Sequence, residues 1–221
     1  MRLFWEALIK FLAGVALCGL LLFLPAATLA YPGAWLFLAL LFLPMLLLGA
    51  VLLIKAPDLL RRRLDSKEKE GAQRGVVAVA GLVFLSAFVL SALDFRFAWS
   101  RVPTALVAVA SALFLLGYAM YAEVMRENAY LARTVKVEAG QALITTGLYG
   151  IIRHPMYLAT LLMFLPIPLI LGSFLGLIPL ALYPVAILFR IGNEERVLTA
   201  ELAGYAEYKT KVKYRLIPFI F

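Results

Sequence analysis

Between Phe11 and Ile54 the chain carries no charged residue. A helix crossing a hydrocarbon core of ~30 Å needs about 20 residues, so this run is too long for one crossing. The Tyr31-Pro32-Gly33 sequence supplies a turn, with Trp35 beyond it as an interface anchor. The pattern predicts two spans, residues 11–30 and 35–54. A polar stretch, residues 55–74, contains Arg61-Arg62-Arg63 and Lys67-Glu68-Lys69-Glu70. A third span is expected over residues 75–93 and a fourth over 102–122, joined by a short loop with Asp94, Arg96, Trp99 and Arg101.

After Tyr121 charges and hydrophobes mix. Residues 123–153 are too polar to span a membrane and are expected to form an interfacial helix followed by a structured loop. Residues 155–189 are again uncharged, but Pro166, Pro168, Gly172, Ser173, Gly176, Pro179 and Pro184 interrupt them. A helical hairpin turning near Gly172-Ser173 is expected there, and an amphipathic surface helix over residues 193–213. The fold class is therefore all-α: a polytopic membrane protein of five to six spans. It divides into four N-terminal spans, residues 1–122, and a C-terminal region, residues 123–221.

Composition strengthens this reading. Hydrophobic residues make up 64% of the chain, more than a soluble domain of this size can hide. Arg2 and Lys10 before an apolar run also suit a signal peptide. The second span follows at once, so an uncleaved first helix is expected. The net charge of +8 sits in short loops, where Lys and Arg set orientation and meet anionic headgroups. Nucleic acid is not an expected partner; membrane lipids are. The Arg61-Arg62-Arg63 triplet reads as such a topology signal. It should share the cytoplasmic side with the stretch after Tyr121 and the C-terminal tail.

One cysteine, Cys18, and one histidine, His154, exclude an intrachain disulfide and any Cys- or His-rich metal cluster. Chemistry in this chain must draw on an organic cofactor, carboxylates, Arg and Tyr. Two constellations carry those groups. Arg153-His154-Pro155-Met156-Tyr157 stands where the fifth apolar segment begins, with Pro155 suited to the first helical position. That places His154 at a helix mouth, which favours an anion, although a cationic interface anchor fits the bare motif as well. Arg190 and Glu194 lie four apart on one helical face, followed by Glu195. By themselves they also suit a snorkelling Arg and a solvated acidic pair. A hairpin brings both constellations to one membrane face, near Tyr149, Tyr157, Tyr205 and Tyr208. Such a cluster at the hydrocarbon boundary is costly to keep without a use.

Leu143-Ile144-Thr145-Thr146-Gly147-Leu148-Tyr149 and Arg153-His154-Pro155-Met156-Tyr157 resemble the signature of the isoprenylcysteine carboxyl methyltransferases. So do Glu194-Glu195, Leu198, Gly204-Tyr205, Tyr208 and Pro218. The wider group includes phospholipid N-methyltransferases. The resemblance covers about the last 90 residues; the first 120 resemble the family only as membrane helices. It implies S-adenosylmethionine as methyl donor. The implied cofactor contacts are Gln141, Ala142, Leu143, Ile144, Tyr149, His154, Pro155, Met156, Tyr157 and Glu194, with Thr134 a looser candidate. It also implies Arg190 as a substrate contact, and Arg190, Glu194 and His154 as the catalytic group. The acceptor would be a lipophilic small molecule or a prenylated substrate, most simply a carboxylate, methylated at a cytoplasm-facing site. Two alternatives stand beside this reading: an NADPH-dependent membrane reductase of the sterol reductase type, and a non-enzymatic transporter or scaffold.

Overall fold

The first helix begins at Arg2, well ahead of the apolar run that announces it. A computed structural model describes residues 1–65, 71–131, 137 and 140–221, with side chains for all of these except 71–74. Thr134 and residues 67–70 lie outside the described residues. Helix α1 (Arg2–Ala26) carries Glu6 and Lys10 four apart in an ion pair of 2.7 Å, and Lys10 Nζ also donates to the Leu64 carbonyl at 2.6 Å. Hydropathy marks where hydrocarbon begins. The helix continues outside it because paired charges on one face are compatible with helical backbone.

Helix α2 (Pro32–Lys55) follows after Tyr31, and a break at Ala56 leads into the short α3 (Pro57–Leu64). Pro57 opens α3, Asp58 sits in its first turn and the three arginines in its last, an order that matches the helix dipole. Leu59 and Leu60 bury its inner face. The triplet also makes tertiary contacts. Arg62 donates to the Ala129 carbonyl at 3.1 Å and lies over the Tyr130 ring. Arg63 hydrogen-bonds the Tyr121 hydroxyl and approaches Met156 Sδ at 3.7 Å. Two of the three arginines thus tie the N-terminal spans to the C-terminal region.

Helices α4 (Gly71–Phe97) and α5 (Thr104–Glu127) complete the N-terminal spans. Among the described residues after 122, no separate interfacial helix is formed. Helix α5 instead runs on to Glu127, its end carrying a Glu123–Arg126 pair at 2.6 Å. The described residues beyond it are irregular until a single 3-10 turn, Gly147–Gly150.

The prolines and glycines break the C-terminal apolar stretch into α6 (Pro155–Phe164), α7 (Ile167–Ile170), α8 (Leu177–Leu180) and α9 (Tyr183–Glu201). Helix α6 packs along α5 and α9 along α4. Gly117 makes the first contact possible, since a Cβ there would lie 2.8 Å from the Met163 backbone nitrogen and 2.9 Å from the Ala159 carbonyl oxygen. The chain turns at Gly172, whose φ of 81° suits glycine. Asp94, fully buried, pins the turn by accepting from Ser100 N at 2.7 Å and from the hydroxyls of Ser100 and Ser173. Tyr31 adds a hydroxyl bond of 2.8 Å to the Leu171 carbonyl.

Among the described residues, five helical stretches are long and apolar enough to cross a membrane: Arg2–Ala26, Pro32–Lys55, Gly75–Phe97, Thr104–Glu127 and Leu177–Glu201. Pro155–Ile170 is shorter. No strand occurs among the described residues. In place of one surface helix over residues 193–213, α9 extends to Glu201 and a separate α10 (Tyr205–Lys211) follows. The break has a local cause: Gly204 adopts a φ of 79°, and buried Leu202, Tyr205 and Tyr208 turn inward against Leu143 and Val212.

Candidate active site

The beginning of α6 is held from the C-terminal side. Arg153 N donates to the Tyr214 carbonyl at 3.0 Å and His154 N to the Arg215 carbonyl at 2.9 Å. The Arg153 guanidinium donates to the Val212 and Lys213 carbonyls and, through Nε, to Glu195 Oε1 at 2.7 Å. His154 Nε2 lies 3.3 Å from the same oxygen, and Arg215 Nε is 3.3 Å from Glu195 Oε2. Glu195 is only 4% exposed. It is no solvated partner of Glu194 but is surrounded by the buried Arg153 and His154 and the more exposed Arg215.

Consecutive helical residues point about 100° apart, so Glu194 faces elsewhere. Its carboxylate accepts the Tyr157 hydroxyl, and that hydroxyl in turn accepts from Arg190 Nε at 2.9 Å. Arg190 and Glu194 share a face, as their spacing predicts, with the buried Tyr157 phenol joining them. Pro155 at the first helical position directs Tyr157, two residues on, toward α9.

Arg153, His154, Tyr157, Arg190 and Glu194 line one cleft that is open to solvent, the concave kind of setting in which small molecules bind. Residues 141–144, Tyr149, residues 154–157, Arg190 and Glu194 all line it. The structure thus brings together every residue that the resemblance implies as a cofactor or substrate contact, apart from Thr134, which lies outside the described residues. It adds Asn128, Tyr130, Leu131, Arg153, Leu198, Leu202, Tyr205 and Tyr208. Tyr205 and Tyr208 were visible in the sequence as aromatics near the same helix ends. Asn128 and Leu131 carry no motif and arrive only because α5 ends beside the cavity.

Tyr149 and Tyr208 are held in place by hydrogen bonds. Asn128 Nδ2 donates to the Tyr149 hydroxyl at 2.9 Å, and the Tyr208 hydroxyl donates to the Tyr149 carbonyl at 2.6 Å. Burial pushes the Tyr208 phenol up to about 12 against the lowering influence of Arg153. It raises Tyr149 as well, against the bond from Asn128. The cavity offers a carboxylate, guanidinium groups, aromatic faces and amides. That donor set fits a ligand with a cationic centre, sugar hydroxyls, an amino-acid end and an aromatic base.

Residues 105–204 match the phospholipid methyltransferase family. The phospholipid methyltransferase match starts in the first turn of α5 and ends at Gly204, so it takes in Arg153, His154, Tyr157, Arg190 and Glu194. The fold is similar to that of the eukaryotic intramembrane Ras methyltransferase ICMT (isoprenylcysteine carboxyl methyltransferase). The TM-score is 0.56 at 20% sequence identity, over 93% of this chain and 75% of that one. This likeness is one of fold. No curated protein matches the chain by sequence.

Proposed function

We propose that this chain is an integral membrane methyltransferase that moves a methyl group from S-adenosylmethionine to a lipophilic acceptor, and that the receiving group is a carboxylate. The observation that carries this reading is the meeting of Arg190, Tyr157 and Glu194 on one cavity at the end of an apolar helix. Arg190 follows directly on Val185, Leu188 and Phe189, whose side chains are exposed on the outer face of α9. A group held by Arg190 can therefore have its apolar part in lipid while the cofactor occupies the cavity from the polar side.

The residues divide the work. Glu194, Tyr149, His154, Tyr157 and the 141–144 segment would hold the cofactor, which supplies a methyl group bonded to a positively charged sulfur. Tyrosine faces attract such a cation. Arg190 can grip a carboxylate at two points. A carboxylate is already ionised at neutral pH and needs no base, so orientation is the principal task of the protein. Glu195, by holding Arg153 and His154, keeps the start of α6 in register with α9.

Two experiments test the assignment. Incubation of the purified protein with methyl-labelled adenosylmethionine and total membrane lipids should yield a base-labile methyl ester. Label in an amine headgroup would remove the carboxylate acceptor, and NADPH binding without adenosylhomocysteine binding would favour the reductase reading. Glu194→Gln should weaken adenosylhomocysteine about ten- to hundred-fold, since a hydrogen bond to a charged group is worth about 1.5–3 kcal/mol. Unchanged affinity by calorimetry would take Glu194 out of the cofactor site.

Orientation belongs to the same proposal, with the site on the cytoplasmic face. After replacement of Cys18, cysteines at Asp58 and Thr210, both exposed, should react with an impermeant reagent from the cytoplasmic side of oriented vesicles. Labelling of the two from opposite sides would overturn this topology.

A further inference from the structure

We propose that the Tyr205 hydroxyl is a hydrogen-bond donor to an oxygen atom of the bound cofactor, an assignment that rests on the adenosylmethionine reading above. Tyr205 is 3% exposed and lines the cavity, yet among the described residues its hydroxyl has no hydrogen-bond partner. The neighbouring phenols differ. Tyr149 accepts from Asn128, Tyr157 is shared by Arg190 and Glu194, and Tyr208 donates to a carbonyl. A buried hydroxyl with nothing to bond is costly and is rare in folded proteins.

The one other such atom among the described residues, Ser91 Oγ, has a different setting. A Cβ on Gly176 would lie 2.1 Å from it, so it is packed tightly against backbone, and it does not line the candidate cavity. Tyr205, by contrast, belongs to the wall of the candidate cavity.

Its position is determined by its surroundings. Gly204, with its left-handed φ, starts α10 and turns the ring inward, and the Tyr208 ring lies 5.7 Å away. Burial and the negative charges of Glu195 and Glu194 raise the phenol well above its ordinary value. It therefore stays protonated and has a proton to give. Glu195 is occupied by Arg153, His154 and Arg215, whereas Glu194 faces the cavity. A ribose hydroxyl could accept from Tyr205 and donate onward to Glu194. The terminal carboxylate of the amino-acid end offers the same acceptor chemistry.

Tyr205→Phe removes the oxygen and little else. Adenosylhomocysteine should bind about five- to ten-fold more weakly to the variant, and its stabilising effect on thermal unfolding in detergent should shrink. Without ligand, the variant should unfold at the wild-type temperature or above it, because it no longer buries an unpaired hydroxyl. A role confined to structure would give the opposite sign. Methylthioadenosine, which lacks the amino-acid end, separates the two oxygen sources. An equal loss for both ligands assigns the ribose, and a loss confined to adenosylhomocysteine assigns the carboxylate. Unchanged adenosylhomocysteine affinity, or a ligand-free variant several degrees less stable, overturns the assignment of Tyr205 alone. A wild-type protein that binds no adenosylhomocysteine overturns the cofactor reading and this assignment with it.

Discussion

Glu195→Ala should destabilise the protein by about 3–5 kcal/mol, the usual cost of leaving the partner of a buried ion pair uncompensated. The side chains of Glu195 and Arg153 are 5% and 7% exposed, and their bond is 2.7 Å long. With the carboxylate gone, Arg153 keeps its bonds to the Val212 and Lys213 carbonyls but loses its counter-charge. His154 loses the oxygen that orients its ring. Arg215 is half-exposed, so water compensates it and its share of the loss is small. Denaturant unfolding in a mild detergent measures the effect. Replacing Arg153 and Glu195 together by apolar residues of similar volume should recover a large part of the loss, since the pair itself contributes little beyond balancing its own desolvation. A single variant as stable as wild type would mean that water reaches the cluster. The start of α6 would then be held by the backbone bonds to residues 214 and 215 alone.

Arg190→Lys should lower methyl transfer by about an order of magnitude or more while leaving adenosylhomocysteine affinity near that of wild type. Lysine keeps the charge but loses the planar fork that can grip a carboxylate at two points. In the structure that fork already uses Nε on the Tyr157 hydroxyl. A single ammonium on a flexible stem cannot hold both the phenol and an acceptor in fixed geometry. The split between turnover and binding decides the role. If affinity for adenosylhomocysteine falls in step with turnover, Arg190 acts through Tyr157 on Glu194, within the cofactor pocket. Its assignment to the acceptor would then be abandoned.

Much of the architecture is legible in the chain because desolvation is a local property. An uncharged run of sufficient length must lie in hydrocarbon, whatever surrounds it. The ends of the helices are less legible. Glu6 with Lys10 and Glu123 with Arg126 extend α1 and α5 beyond the apolar runs. Hydropathy leaves these residues outside the spans, whereas helical geometry lets them pair and continue the same helix. Gly204 terminates a pattern that amphipathicity alone would carry on to residue 213.

The candidate site shows the same division. Residue types and spacing place Arg153, His154, Arg190 and Glu194 at the two ends of one uncharged stretch, where an expected hairpin would bring them to one face. The sequence by itself thus determined which chemical groups meet and at which boundary. Only the tertiary structure decided what each group does there. It turns Glu195 into the cationic cluster and Glu194 toward the cavity, a distinction that two adjacent carboxylates do not carry in their identities. It sends Arg62 and Arg63 to Tyr130, Tyr121 and Met156, and leaves the Tyr205 hydroxyl unpaired while its neighbours are satisfied. The physical reason is range. Whether a residue enters hydrocarbon depends on its neighbours in sequence. Which charge it meets depends on the rotation and packing of helices whose contacting residues lie far apart along the chain.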